Sequence, residues 1–227
     1  MALKQTVVLS LAAALVLAAV AAAVLWTRAG RDNAADADHS AHVPSPAVAH
    51  PEISGFRVVS RERLDTPLAA HDFRLVDQTG AEVTLHGLRG KAVLLSFIYT
   101  NCPEACPLTT AYYLELQRQF AAELDQGELS LVLITTDPDH DTPQRLKEYT
   151  DARGGRWQFL SGDAPSLQAT WDGYGIFREA RAGLKEVVIY HSYKTALIDQ
   201  QGMVRYLYQG VWNSQDVSHD IRSTLVG

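Results

Sequence analysis

The chain is short of cysteine: Cys102 and Cys106 are the only two among 227 residues. No disulfide framework stands on a single pair, and neither a paired C-x-x-C zinc site nor a C-x-x-C-H haem attachment is present. Basic charge is also scarce, with 20 Lys and Arg against 26 Asp and Glu and a net charge of −6. Residues 1–28 hold Lys4 and Arg28 and no acid, so the remainder is more acidic than the whole. That balance argues against the basic face by which nucleic-acid binders neutralise phosphate, and no nucleic-acid partner is expected. A Gly-rich phosphate loop and internal repeats are absent as well. What is left, 47% hydrophobic and 20% charged, is the composition of an ordinary globular domain with room for extra segments.

The chain does have one long uncharged apolar run, "TVVLSLAAALVLAAVAAAVLW", over residues 6–26. As a helix rising about 1.5 Å per residue it reaches about 31 Å, enough to cross a bilayer core. Signal-peptide apolar regions are shorter, so the length predicts an uncleaved anchor after a tail of residues 1–5, with cleavage at the Ala-rich "AVAAA" as the alternative. Lys4 stands on one side and Arg28 and Arg31 on the other, so charge does not set the orientation. A short tail more often stays inside, which places the C-terminal domain outside the cytoplasm, in the periplasm or an equivalent space. Residues 27–55, rich in Ala, Asp, Pro and His, read as a flexible tether. His39, His42 and His50 lie there; with no rigid geometry to hold them together they are expected to be solvated rather than ligating.

The folded domain is expected over residues 56–227. Phe73, Leu75, Val83 and Leu85 alternate around a "DQTG" turn and predict a hairpin. "AVLLSFI" (92–98) and "LSLVLITT" (129–136) are continuous apolar runs, the pattern of strands covered on both faces. Leu108, Tyr112, Leu116, Phe120 and Leu124 recur every fourth residue and predict an amphipathic helix. "DPDHDTP" (137–143) is a loop, with Pro143 opening a helix to 152. A strand at 157–160, a helix at 164–173, strands "EVVIYH", "KTALID" and "MVRYLYQG", and a last helix capped by Asn213 complete the chain. Alternation of this kind predicts an α/β sheet with helices on both faces.

The cysteines sit in "FIYTNCPEACPLTT" (97–110), where a core strand ends and a helix begins. Sites form at such strand ends. Pro107 disfavours helical geometry at Cys106, placing Cys106 near the cap and Pro107 at the first helical position. Unpaired N–H groups there favour thiolate, so both sulfurs are expected to be reactive and partly exposed. The pair can then be a reversible disulfide, two thirds of a soft-metal site, or inert core thiols. Two thiolates with one imidazole suit copper or zinc. Of the eight histidines, His191 is the best third ligand, because it closes the strand "EVVIYH" before the hairpin. His140 also follows a core strand but reads better as a solvated loop residue, and His71, His86 and His219 as structural. Asp137, at the end of its strand, is either a group that orients a ligand or a loop cap.

Three motifs together resemble the Sco/SenC family of copper-binding cytochrome c oxidase assembly proteins: "FIYTNCPEACPLTT", "DPDHDTPQRLKEY" and "YHSYKTALIDQQGMVRYLYQG". They run in family order over roughly residues 70–225. The resemblance implies a thioredoxin-like fold, a central mixed sheet flanked by helices, behind an N-terminal membrane anchor. It implies one copper ion, Cu(I) or Cu(II), on Cys102, Cys106 and His191, with Asp137 opening the family's loop. The implied partners are the copper-centre subunit of cytochrome c oxidase or another acceptor, an upstream copper donor and a thiol reductant. This chain departs from the family in having Asn101 where many members have His, and Tyr190 where many have Asp. The alternatives are a thiol–disulfide oxidoreductase or peroxiredoxin-like reductase, in which Cys102 attacks and Cys106 resolves, and a copper or redox sensor.

Overall fold

The computed structural model describes residues 58–226, apart from residue 104 and residues 183–186. The tail, the anchor span (6–26), the tether (27–55) and its three histidines lie outside the described residues. Among the described residues no helix is long and apolar enough to cross a membrane.

Among the described residues, ten strands and five α-helices follow in chain order. Strand β1 is Val58–Ala69, β2 Arg74–Val76, β3 Glu82–Thr84 and β4 Ala92–Ile98. Helices α1 (Cys106–Gln119) and α2 (Ala121–Gln126) precede β5 (Leu129–Thr135), α3 (Pro143–Asp151), β6 (Gln158–Leu160) and α4 (Ala164–Gly173). Strands β7 (Arg178–Ala182), β8 (Val187–His191), β9 (Lys194–Ile198) and β10 (Met203–Gly210) lead to α5 (Ser214–Val226).

Six strands form a mixed sheet in the order β1-β10-β9-β4-β5-β6. β4, β5 and β6 are parallel; β9, β10 and β1 run antiparallel to their neighbours. Every residue of β4 and β5 is buried, and their side chains divide by parity. Leu94, Ile98, Leu131 and Leu133 face a core shared with α1, α3 and α5. Val93, Leu95, Phe97, Val132 and Ile134 face a second core, closed by α4 and the β2–β3 hairpin. Cover on both faces explains the lack of polar alternation in these strands.

Most expected elements stand within a residue or two of their expected bounds. The "DQTG" and "DQQG" turns end on Gly80 and Gly202 with φ of +85° and +80°, a conformation that only glycine adopts without strain. Three expectations are corrected. The first concerns the apolar stripe of α1, which is rotated: Cys106, Thr110, Tyr113 and Leu116 are the buried positions, and the helix breaks at Phe120 before α2. Fully buried Tyr113 explains the rotation, because its hydroxyl reaches Ser96 Oγ at 2.9 Å and the Leu94 and Val132 carbonyls at 3.2 and 3.1 Å. The second concerns β1, which sequence reasoning missed. Its residues alternate poorly, and it is held instead by pairing with β10 and by Arg61, whose guanidinium meets the fully buried carboxylate of Asp220 on α5. The third concerns β7, also missed, which pairs with β8 as a separate two-stranded ribbon.

A buried polar chain links the strands to the helical face. Ser96 Oγ lies 2.6 Å from Thr195 Oγ1, which also accepts the indole N–H of Trp212 at 2.8 Å. Replacing Thr195 by the isosteric Val strips an acceptor from a buried indole. Thr195→Val is therefore expected to lower unfolding stability by about 1–3 kcal/mol, read as a shift of the urea midpoint with the slope unchanged.

Candidate metal centre

Strand register decides what meets at one edge of the sheet. β4 and β5 are parallel with Ile98 opposite Thr135, so the loops that follow them leave from the same edge. β9 is antiparallel to β4 with Ser96 opposite Thr195, so the segment that precedes β9 arrives there too. The cysteine turn, the 136–142 loop and His191, three residues before β9, thus come from distant parts of the chain to one place.

There Cys106 Sγ lies 4.0 Å from His191 Nε2. Both side chains are buried, His191 at 8% exposure and Cys106 at 1%. His191 Nδ1 is 3.0 Å from the carbonyl oxygen of Ser192, which only accepts, so Nδ1 carries the proton. Burial also pushes the ring's pKa down to about 4. The imidazole is therefore neutral at pH 7, with the lone pair of Nε2 aimed at the sulfur. Tyr99 and Tyr193 flank the ring edge-on, with centroids at 5.8 and 5.0 Å.

The two cysteines are not joined in a disulfide. Both are buried, Cys102 at 8% exposure, which corrects the expectation of partly exposed sulfurs. Ala105 takes the cap position with helical φ and ψ, Cys106 is the first helical residue and Pro107 follows it. Cys106 thereby points into the core, where desolvation outweighs the helix N-terminus. Burial, and then a hydrogen bond to Cys102, push its thiol well above the ordinary range; a backbone N–H bond from Tyr99 works the other way. Cys106 has one proton to give and two acceptors in reach, the sulfur of Cys102 and Nε2 of His191.

A sulfur and an imidazole nitrogen on one metal, at about 2.3 and 2.0 Å, stand about 3.5–3.7 Å apart for tetrahedral to trigonal angles. The Cys106–His191 pair needs to close by only a few tenths of an ångström to reach that. Among the described residues no three His, Cys, Asp or Glu side chains are already gathered closely enough to hold a metal ion.

Residues 61–226 match the SCO1/SenC family. The chain belongs to that family. It is 28% identical over 158 residues to a SCO1 protein homolog of Bacillus subtilis (strain 168), covering 66% of this chain and 80% of the relative. The fold is similar to the structure of Bradyrhizobium japonicum ScoI with copper bound, with 25% identity and a TM-score of 0.61 over 68% of this chain and 98% of that one. It is also similar to BsSco, a member of the Sco family of cytochrome c oxidase assembly proteins in which a disulfide switch was identified. There the identity is 26% and the TM-score 0.55, over 73% of this chain and 96% of that one. These likenesses give the SCO1/SenC chain its thioredoxin-like α/β fold with a mixed central sheet.

Within the site Asp137 takes the loop-capping role, one of the two that the sequence reading leaves open. The carboxylate of Asp137 is held by His140 Nδ1 at 2.9 and 3.0 Å, and its backbone carbonyl accepts the N–H groups of His140 and Asp141, a loop-capping arrangement. The side chain of His140 is 61% exposed. The acid that reaches the cysteine turn is Asp141, fully buried and missed by sequence reasoning. It accepts the Thr100 hydroxyl at 2.5 Å, the Thr100 N–H at 3.1 Å and the Thr135 hydroxyl at 2.6 Å. Burial raises its pKa and these bonds oppose the rise. The signal for it was a third Asp, after Asp137 and Asp139, in a loop between a core strand and a Pro-initiated helix. His71, His86 and His219 are exposed, away from these contacts. Asn101 is exposed, and half-exposed Tyr190 lies under the guanidinium of Arg181 at 4.8 Å.

Two outcomes follow from these contacts. Asp141→Asn cannot accept all three donors as a carboxylate does; it is expected to cost about 1–3 kcal/mol and to speed alkylation of the cysteines by iodoacetamide as the turn loosens. His191 is neutral when folded, whereas the unfolded chain takes up its proton near pH 6.5. Its contribution to stability is complete above pH 6.5 and declines as the pH falls towards about 4. Denaturation at a series of pH values is expected to show that decline in the wild type and a shallower one in His191→Asn.

Proposed function

We propose that this chain carries copper as cargo and assists assembly of the binuclear copper centre of cytochrome c oxidase. One copper ion, Cu(I) or Cu(II), is taken up by Cys102, Cys106 and His191. The observation that carries this reading is the buried contact of Cys106 Sγ with a histidine nitrogen whose tautomer is already fixed by the Ser192 carbonyl. Carboxyl, carbonyl or water on the other ring nitrogen is the common way in which a metal-ligating histidine is oriented. Sulfur with imidazole is a donor set for copper rather than for hard cations. Membership of the SCO1/SenC family and the copper-bound ScoI structure support the same assignment.

Uptake displaces the protons of both thiols, so loading weakens as the pH falls. Transfer proceeds by ligand exchange with the acceptor, the copper-centre subunit of cytochrome c oxidase or another copper protein, after supply by an upstream donor. We place the domain in the periplasm or an equivalent space, held to the membrane by residues 6–26. In the oxidised, copper-free state the same two sulfurs form a disulfide that a thiol reductant reopens.

A second reading, thiol–disulfide reduction of the acceptor, is favoured by the hydrogen bond between the Cys106 and Cys102 sulfurs. The two thiols become a disulfide while an acceptor disulfide becomes two thiols, with two protons and two electrons passing across. The raised Cys106 thiol counts against it as an attacking group, which leaves Cys102 to attack.

The test is titration of the reduced chain with copper. One equivalent is expected to bind with thiolate-to-copper absorption. Cys102→Ala, Cys106→Ala and His191→Ala are each expected to lose more than about 100-fold in affinity, beyond the usual effect of residues behind the ligands. A His191→Ala protein that binds copper as before but still reduces disulfides supports the second reading instead.

A further inference from the structure

A cavity of about 530 Å³ lies away from the metal centre, walled by β1, the start of β10, the turn between β9 and β10, and α5. His191 stands before β9 and this turn after it, so the strand separates the two places, by about 17 Å for its five residues. In a chain where acids outnumber bases 26 to 20, the cavity is lined by three arginines and one aspartate. Strand periodicity and a bulge put them there. Arg61 and Arg63 pair with Tyr208 and Tyr206, which pack in the core shared with α5, so both side chains stand on the α5 side of β1. Arg205 is the extra residue of a β-bulge, since its neighbours Val204 and Tyr206 pair with the adjacent Ile198 and Leu197 of β9. The bulge turns Val204 to one core and Tyr206 to the other, and leaves Arg205 at the cavity wall.

The hydrogen-bonding capacity of these arginines is only partly spent. Arg61 Nε is 2.7 Å from Asp220 Oδ2, and its Nη2 meets Oδ1. Asp220 is fully buried, so the guanidinium is fixed in place with Nη1 unspent. Asp199 Oδ1 accepts the N–H groups of Gln201 and Met203, and its Oδ2 is 3.6 Å from Arg205 Nη1, too long for a hydrogen bond. Arg63 has no hydrogen-bond or ion-pair partner among the described residues. Three guanidiniums against two carboxylates leave one positive charge unmatched. The hydroxyls of Ser223 and Thr224, also at the wall, donate to carbonyls of their own helix and supply no further donor.

We propose that this cavity binds a phosphate group, borne by a soluble phosphate compound or by a lipid headgroup. Guanidinium N–H groups match phosphate oxygens, and here they arrive from two strands. A tetrahedral oxyanion accepts bonds from several sides, whereas a planar carboxylate accepts them in one plane. The volume falls in the range of small-ligand sites and leaves room for the rest of the molecule that bears the phosphate. The cavity shares no residue with the copper site, so its ligand is independent of that reading. Spacing along the chain does not reveal it, because only the pairing of the last strand with the first brings Arg205 near Arg61 and Arg63.

The experiment is calorimetric titration of the full chain in neutral detergent at low salt. Pyrophosphate stands for the soluble source and glycerophosphoglycerol, a deacylated headgroup, for the lipid. One equivalent of at least one probe is expected to bind, more weakly as salt is added, and the tighter probe names the source. Arg63→Gln takes no partner from the fold and is expected to weaken binding about tenfold. Arg205→Gln, the second variant, is expected to weaken it as well. Failure of both probes to bind overturns the proposal, and so does wild-type affinity in both folded variants.

Discussion

The pairing of β4 with β5 on one side and β9 on the other is the constraint from which the site follows. Parallel pairing puts the ends of β4 and β5 at one edge, and antiparallel pairing brings the start of β9 to the same edge. Three loops remote in sequence converge there with no contact among themselves needed to specify it. The pairing is stable because both faces of β4 and β5 are covered, and an apolar strand buried on both sides has one register that loses no packing.

The convergence becomes chemistry through small polar contacts made in a dry place. Asp141 holds Thr100, and so the turn that ends in Cys102. Ser192 fixes the proton of His191 on Nδ1. Each contact is buried, so each is stronger than it would be in water, and each leaves an unpaired group if broken. Burial also explains why the Cys106 thiol is kept protonated until something displaces its proton: a lone thiolate in this setting is disfavoured, whereas a thiolate shared with a soft cation is not.

Much of the fold was legible because it rests on local signals. Continuous apolar runs gave β4 and β5, Pro143 gave the start of α3, and glycine-ended turns gave both hairpins. β1 was not legible, since it faces solvent for much of its length and is held by pairing and by Arg61 with Asp220. The stripe of α1 was read a fraction of a turn off because the four-residue spacing of Leu108, Tyr112 and Leu116 fits a helix as well as the true face does. Which of those residues is inward depends on Tyr113 finding partners on β4 and β5.

For the site itself, the sequence alone determined the donor types and their carriers: two cysteines where a core strand meets a helix, and a histidine ending the strand before the last hairpin. Tertiary structure decided how those donors are held. Exposure could not be read from the helix N-terminus, because the direction of Cys106 depends on which face of α1 packs inward. Asp141 rather than Asp137 reaches the cysteine turn, because the acids of one loop differ only in where the chain bends. The approach of Cys106 Sγ to His191 Nε2 depends on atoms brought together across the sheet edge, which no spacing along the chain encodes.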